Sequence, residues 1–172
     1  RLAKQSRAKE VWLLTSSDVG AYPGVDKLFS RVPISKVGRI YSACDVVLKL
    51  STVEGMFGPP LEAFHCGATS ISYDVTGYDE YIVDGKNALV SFSRLDEDVI
   101  NKINYLVAHS AELDKLKARA LETAKSWPDW DQSSSEFEAA CNNIVSSNDS
   151  CKINRLANTT TKLWEMYSIG DE

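Results

Sequence analysis

Glu54 and Glu62 stand eight residues apart in the stretch EGMFGPPLEAFHCG, with Gly55, Gly58 and the pair Pro59-Pro60 between them. Glycine permits close backbone approach and unusual dihedrals, and a helix opening near Pro59 directs the positive end of its dipole into the loop. Together these suit a phosphate. The prolines have no N–H, so amide donors to an anion would come from Gly55, Met56, Phe57, Gly58 or Leu61, while the prolines hold the loop in one shape. Two carboxylates do not fit a bare phosphate, which they repel at close range. They fit neutral hydroxyls on either side of it, because an ionised carboxylate accepts two strong hydrogen bonds from a vicinal diol. A ligand with two sugars flanking a diphosphate, a nucleotide sugar, has that layout. The same residues also read as a plain strand–turn–helix connection with both glutamates in solvent. No Lys or Arg occurs between Lys49 and Lys86, so a diphosphate here would be neutralised by the helix dipole or by basic residues elsewhere.

The elements that must hold this loop read as an alternation of strands and helices. Val11 to Leu14 reads as a buried strand. Ser35 to Ala43 reads as a helix capped by Ser35, with Val37, Ile40 and Tyr41 on one face. Asp45 to Leu50 is a continuous apolar strand of the kind covered on both sides. A helix from Pro59 to Cys66 has proline in its first turn and Gly67 past its end. Strands follow at Thr69 to Tyr73 and Ala88 to Phe92, separated by a turn at Thr76-Gly77-Tyr78, a short helical stretch from Asp79 to Val83 and a turn at Asp84-Gly85. From Asp96 the pattern turns helical, with one stripe of Val99, Ile103, Leu106 and Val107 and a second of Leu113, Leu116, Ala120 and Leu121. Trp127 to Trp130 breaks the run, a helix resumes from Ser133 to Val145, and the polar linker Ser146–Ser150 precedes a last amphipathic helix with Ile153, Leu156, Leu163, Trp164 and Tyr167.

Such an alternation implies an α/β fold, a Rossmann-like parallel sheet flanked by helices, with ligands bound beyond the carboxyl ends of the strands. The loop from Glu54 to Gly58 lies in that place. Residues 1–145 are expected to form the ligand-binding domain and 146–172 a linker with a C-terminal helix.

The 172 residues suffice for one domain with a real core, and 44% hydrophobic with 25% charged residues is ordinary for a globular protein. No run approaches the roughly 20 apolar residues of a membrane helix. The net charge of −5 gives no global field to attract nucleic acid. Cys44, Cys66, Cys141 and Cys151 form no CxxC pair, which points to reduced, mostly buried thiols in a cytoplasmic protein, where the sequons at Asn148 and Asn158 carry no meaning. The chain opens on Arg1 and is expected to be a fragment or a processed product. Asp96-Glu97-Asp98 and Asp129-Trp130-Asp131 match D-x-D, but each precedes a helical pattern where an N-cap is expected. His65 is expected to be packed or exposed rather than a catalytic base, Trp127 and Trp130 to pack a kink between helices, and Asp79-Glu80 to cap a turn.

The stretch from Glu54 to Ala63, followed by Cys66-Gly67, resembles the E-x7-E motif of glycosyltransferase family 4, whose usual form runs E-G-F-G-L-P-x-L-E-A and then C-G. The resemblance extends back through Ile40 to Val46 and forward through Thr76 to Val90, and covers Val32 to Val90. Two departures stand out. The order is M-F-G-P where the family has F-G-L-P, so the glycine sits one residue later. The family's early Arg and Lys-Gly have no match in Arg1 to Glu10, which reads as the end of the following helix, and are expected to precede residue 1.

The resemblance implies the C-terminal, donor-binding half of a GT-B architecture with extra C-terminal helices. It implies a retaining glycosyltransferase that moves a hexose from a nucleotide sugar to an acceptor in polysaccharide or glycoconjugate synthesis. Glu54 would lie by the donor sugar as a catalytic stabiliser and Glu62 would bind the ribose. The backbone of Gly55, Met56, Phe57 and Gly58 would contact sugar and phosphate, and the base would lie near Val32. No metal or other cofactor is implied. The partners implied are the nucleotide-sugar donor and a missing N-terminal acceptor domain, which leaves room for peripheral membrane contact, with no nucleic acid. The alternatives are a nucleotide-binding module without catalysis of its own and, more distantly, a nucleotide-sugar epimerase of the same architecture.

Overall fold

Among the described residues five short runs rich in β-branched residues, leucine and serine form strands: β1 (Trp12–Thr15), β2 (Lys27–Ser30), β3 (Val46–Lys49), β4 (Thr69–Tyr73) and β5 (Leu89–Ser91). The computed structural model describes residues 2–146. Among the described residues all strand pairings are parallel. β1 pairs with β2, and β3, β4 and β5 form a three-stranded sheet with β4 in the middle. Registers Val46↔Thr69 and Ile71↔Leu89 bring the carboxyl ends of β3, β4 and β5 to one edge.

Helices α1 (Ile34–Tyr41), α2 (Gly58–His65), α3 (Asp96–Ala108) and α4 (Ser110–Ser126) complete the first compact unit, which runs to Trp127. α2 packs against α4, β3 and β4, and α3 packs against α4, β4 and β5. This is the expected α/β layout of parallel strands flanked by helices. The core joins Phe57, Leu61 and Phe64 to Ile71, Val90, Val99, Leu106 and Ala120.

Local details depart from expectation for identifiable reasons. β1 and β3 are half-buried, not buried, since β3 is an edge strand and β1 belongs to a two-stranded sheet. β4 alone is buried along its whole length. α1 begins at Ile34 with Pro33 in the cap position and no side-chain cap bond from Ser35. Proline's fixed φ presets the helix entry one residue earlier. In α3 the buried stripe is Val99, Ile103 and Leu106, while Val107 turns to solvent. Asp96, Glu97 and Asp98 fill its first turn without capping it, where their charge complements the helix dipole. A three-residue 3-10 turn, Tyr78–Glu80, stands where a helical stretch to Val83 was expected; its cap residue is Gly77, not an acidic side chain. Near the start of the chain only a 3-10 turn, Leu2–Gln5, is formed.

A second compact unit starts at Pro128. Its helix α5 (Trp130–Ser146) begins three residues before the expected Ser133, because the Asp129 carboxylate accepts the Gln132 N–H at 2.8 Å and so caps the earlier start. Trp127 packs edge-on against Tyr81 with ring centroids 5.5 Å apart, but Trp130 is exposed and packs no kink. Cys44 and Cys66 are half-buried free thiols, whereas Cys141 is exposed. Cys151, both sequons, residues 147–150 of the linker and the last amphipathic pattern lie outside the described residues.

Candidate functional site

The chain leaves β3 at Lys49, passes Glu54 and enters α2 at Gly58. Phe57 has φ −83° and ψ 65°, an inverse γ-turn, and the Gly58 N–H closes it on the Met56 carbonyl at 3.0 Å. That turn sends the Phe57 side chain down into the core, where it is 1% exposed, and leaves its neighbour Met56 in solvent. From beneath, the Tyr81 hydroxyl donates to the Phe57 carbonyl. Burial raises the Tyr81 phenol well above its ordinary range, so the hydroxyl keeps its proton and stays a donor, while the Leu61 N–H is directed at the same oxygen. The Tyr81 ring is wedged edge-on between Phe64 and Trp127. The loop is therefore pinned to the core through one side chain and one carbonyl.

This geometry sorts the candidate donors. Gly58 and Leu61 spend their N–H groups internally, and the Leu61 side chain is buried. Among the described residues no protein acceptor meets the N–H of Gly55, Met56 or Phe57. Three consecutive free amides beside a helix N-terminus suit an anion.

The glutamates have separate supports. Glu54 is half-buried, with Oε1 2.6 Å from the Lys49 ammonium. That contact, aided by the Ser51 hydroxyl, holds its carboxyl below the usual carboxylate range. Glu62 is exposed on α2 and its Oε1 lies over Gly58, 3.9 Å from where a Cβ would be. Tyr41 contributes its hydroxyl to Glu62. Burial, together with that hydrogen bond and the Glu62 charge, pushes the Tyr41 phenol up to about 12. Glu62, Ile34, Val37, Tyr41, His65 and Cys66 line a cavity of about 340 Å³ between α1 and α2. Val32 is half-buried and sits two residues before Ile34, at the entry to α1. His65 is an exposed wall residue of this cavity.

A second turn presses on the loop. Gly77 has φ +81°, and a Cβ there would come 3.0 Å from the Gly55 carbonyl oxygen. Beside it, at the ends of β4 and β5, Arg94 (φ +54°) donates from Nε to the Asp74 carboxylate at 2.7 Å and from a terminal nitrogen to the Asp74 carbonyl at 2.9 Å. At the ends of β1 and β2, Arg31 (φ +52°) pairs with Asp18 at 3.1 Å. Lys49, Tyr81 and the pairing of Asp74 with Arg94 escape the sequence reasoning. A lysine inside the apolar run DVVLKL was the one signal that could have exposed Lys49.

Residues 27–127 match the family model described as glycosyl transferases group 1. No curated protein matches the chain. Among solved structures, sucrose-phosphate synthase from Thermosynechococcus elongatus superposes with a TM-score of 0.72 at 16% identity, over 86% of this chain and 42% of that one. Anabaena HepE in complex with UDP and glucose superposes with a TM-score of 0.63 at 19% identity, over 72% of this chain and 33% of HepE. The C-terminal domain of LpcC, a glycosyl transferase group 1 family protein from Francisella tularensis, gives a TM-score of 0.53 at 22% identity, over 60% of this chain and 55% of that one. At these identities the likeness is one of fold. The chain spans about a third of the length of HepE.

Proposed function

The chain belongs to the group 1 glycosyl transferases, and from that premise we propose that it is the donor-binding half of a retaining hexosyltransferase of family 4. It moves a hexose from a nucleotide sugar to an acceptor, in the cytoplasm, during polysaccharide or glycoconjugate synthesis. The observation that carries this reading is the loop at the end of β3, where three unspent amides at the mouth of α2 are bracketed by Glu54 and Glu62. The free N–H groups of Gly55, Met56 and Phe57 take the diphosphate, with the α2 dipole behind them. Glu62 accepts the ribose hydroxyls, and the base lies near Val32 along the cavity that Glu62 shares with α1.

Glu54 faces the donor sugar. Its carboxylate steadies positive charge that develops at the sugar as the bond to the diphosphate breaks, while the amides stabilise the leaving group. Acceptor attack from the face the diphosphate leaves accounts for retention. The chemistry asks for no metal or cofactor. UDP and glucose in HepE support a uridine nucleotide sugar as the first donor to try. The acceptor half is supplied by sequence outside this chain, as the share of HepE and of sucrose-phosphate synthase that the chain covers suggests. Among the described residues no helix is long and apolar enough to cross a membrane. By itself the chain binds the donor without transferring it.

Calorimetry of the chain with UDP, GDP and their sugar conjugates tests the binding. In the protein with its acceptor half, Glu54→Gln lowers turnover by about 100-fold, the scale of removing one electrostatic contact to the transition state. Unchanged turnover in that variant removes Glu54 from the mechanism.

A further inference from the structure

The loop carries a tension that the donor reading alone leaves standing. It offers amides to a diphosphate and sets a carboxylate, Glu54, at the same mouth. A carboxylate and a phosphate charge about 4 Å apart repel by a factor of about five in affinity even in bulk water. Glu54, however, reaches the mouth already paired, with Lys49 Nζ 2.6 Å from its Oε1. Lys49 is the last residue of β3, the strand that feeds the loop, and its side chain is 29% exposed against 23% for Glu54. Both groups are half-buried. The other cations that follow strands here have partners of their own: Arg94 is engaged by Asp74 and Arg31 by Asp18.

We propose that Lys49 is a positioning residue of the donor site: it offsets the charge of Glu54 and fixes one carboxylate oxygen, so that a diphosphate can approach the amides at the mouth of α2. The inference rests on the donor reading above. It assigns Lys49 a role through Glu54 and not by contact with phosphate. Removing the lysine leaves an uncompensated carboxylate that repels the ligand, and removing the carboxylate as well relieves it.

The test is a double-mutant cycle read by UDP calorimetry on the chain, with circular dichroism to confirm that each variant folds. Lys49→Met weakens UDP binding by about fivefold to tenfold, Lys49→Arg stays within about twofold of wild type, and Lys49→Met with Glu54→Gln recovers to within about twofold. If Lys49→Met changes nothing, or if Glu54→Gln fails to recover the loss, the proposal is overturned; the second result makes Lys49 a direct phosphate ligand. If wild type binds neither UDP nor a nucleotide sugar, the donor reading falls. The pairing is then read separately from the Glu54 carboxyl carbon shift, which must move in Lys49→Met and not in Lys49→Arg, and an unmoved shift overturns it.

Discussion

Replacing Gly77 by alanine separates the site's geometry from general stability, because a second glycine supplies the control. Gly77 and Gly85 both have positive φ, +81° and +70°. An L-residue in that region costs about 1–2 kcal/mol, and the stiffer unfolded chain returns about 0.4–1 kcal/mol of it. Each alanine variant therefore loses about 1 kcal/mol from the backbone alone, a drop of about 2–4 °C in melting temperature for a chain of this size. Beyond that the two differ. A Cβ at Gly85 meets nothing within 4 Å, whereas at Gly77 it meets the Gly55 carbonyl oxygen at 3.0 Å. A backbone carbonyl cannot swing aside as a side-chain tip does, so either the 76–78 turn opens or Gly55 moves. Relieving that contact adds about 1 kcal/mol, at the low end of what overpacking costs. Because Gly55 carries one of the free amides, its shift also reaches the ligand. Urea unfolding should show Gly77→Ala less stable than Gly85→Ala, and calorimetry should show UDP affinity reduced more than threefold in Gly77→Ala and unchanged in Gly85→Ala. Equal affinities in both variants would refute the claim that the Gly77 turn sets the shape of the loop.

Tyr81→Phe keeps the aromatic packing and strips the hydroxyl from the Phe57 carbonyl and the Leu61 amide. It should cost about 1–3 kcal/mol, the range for leaving buried partners unsatisfied, as read from urea unfolding; a loss under about 0.5 kcal/mol would show that the loop is held by Phe57 packing alone. Acid should also destabilise the fold. The carboxyls of Asp98, held low by the Ser91 hydroxyl and then Lys102, of Glu54, held by Lys49, and of Asp74, held by Arg94, all lie below their ordinary values of 3.8 for Asp and 4.5 for Glu. A depressed folded pKa contributes stability that is present above the unfolded value and is lost as pH falls through the folded one. The urea midpoint should therefore fall between about pH 5 and pH 3, less steeply in Asp98→Asn. A flat or rising midpoint would contradict those pairings.

What could be read in advance was local. The strand Thr69 to Tyr73 carries its own signal in alternating small and large residues, and the structure has it with those bounds. Gly67 marks the end of α2 because it alone there takes φ +82° without strain. What escaped was set by partners distant in sequence. In the sequence Phe57 stands out only as an amide donor of the loop, and nothing there shows where its ring goes. It is a core residue because Tyr81, 24 positions on, holds its carbonyl. The half-burial of β3 depends on its place at a sheet edge, which its run of apolar residues does not encode. The contact between Lys49 and Glu54 needed the reach of a long side chain across the loop, and spacing along the chain does not show direction.

Phe57 and Met56 are adjacent and have opposite fates, one 1% and the other 59% exposed. The ordering cost of the loop is met during folding, so a ligand arriving at it has little backbone left to freeze, and its association entropy should reflect released water more than lost motion. The pair also divides the constraint on change. A substitution at Met56 alters what the rim offers a ligand and leaves the scaffold untouched, whereas one at Phe57 unmoors the rim itself. Drift in ligand preference within such a lineage therefore has an open route through the upward-facing residue and a closed one through its neighbour.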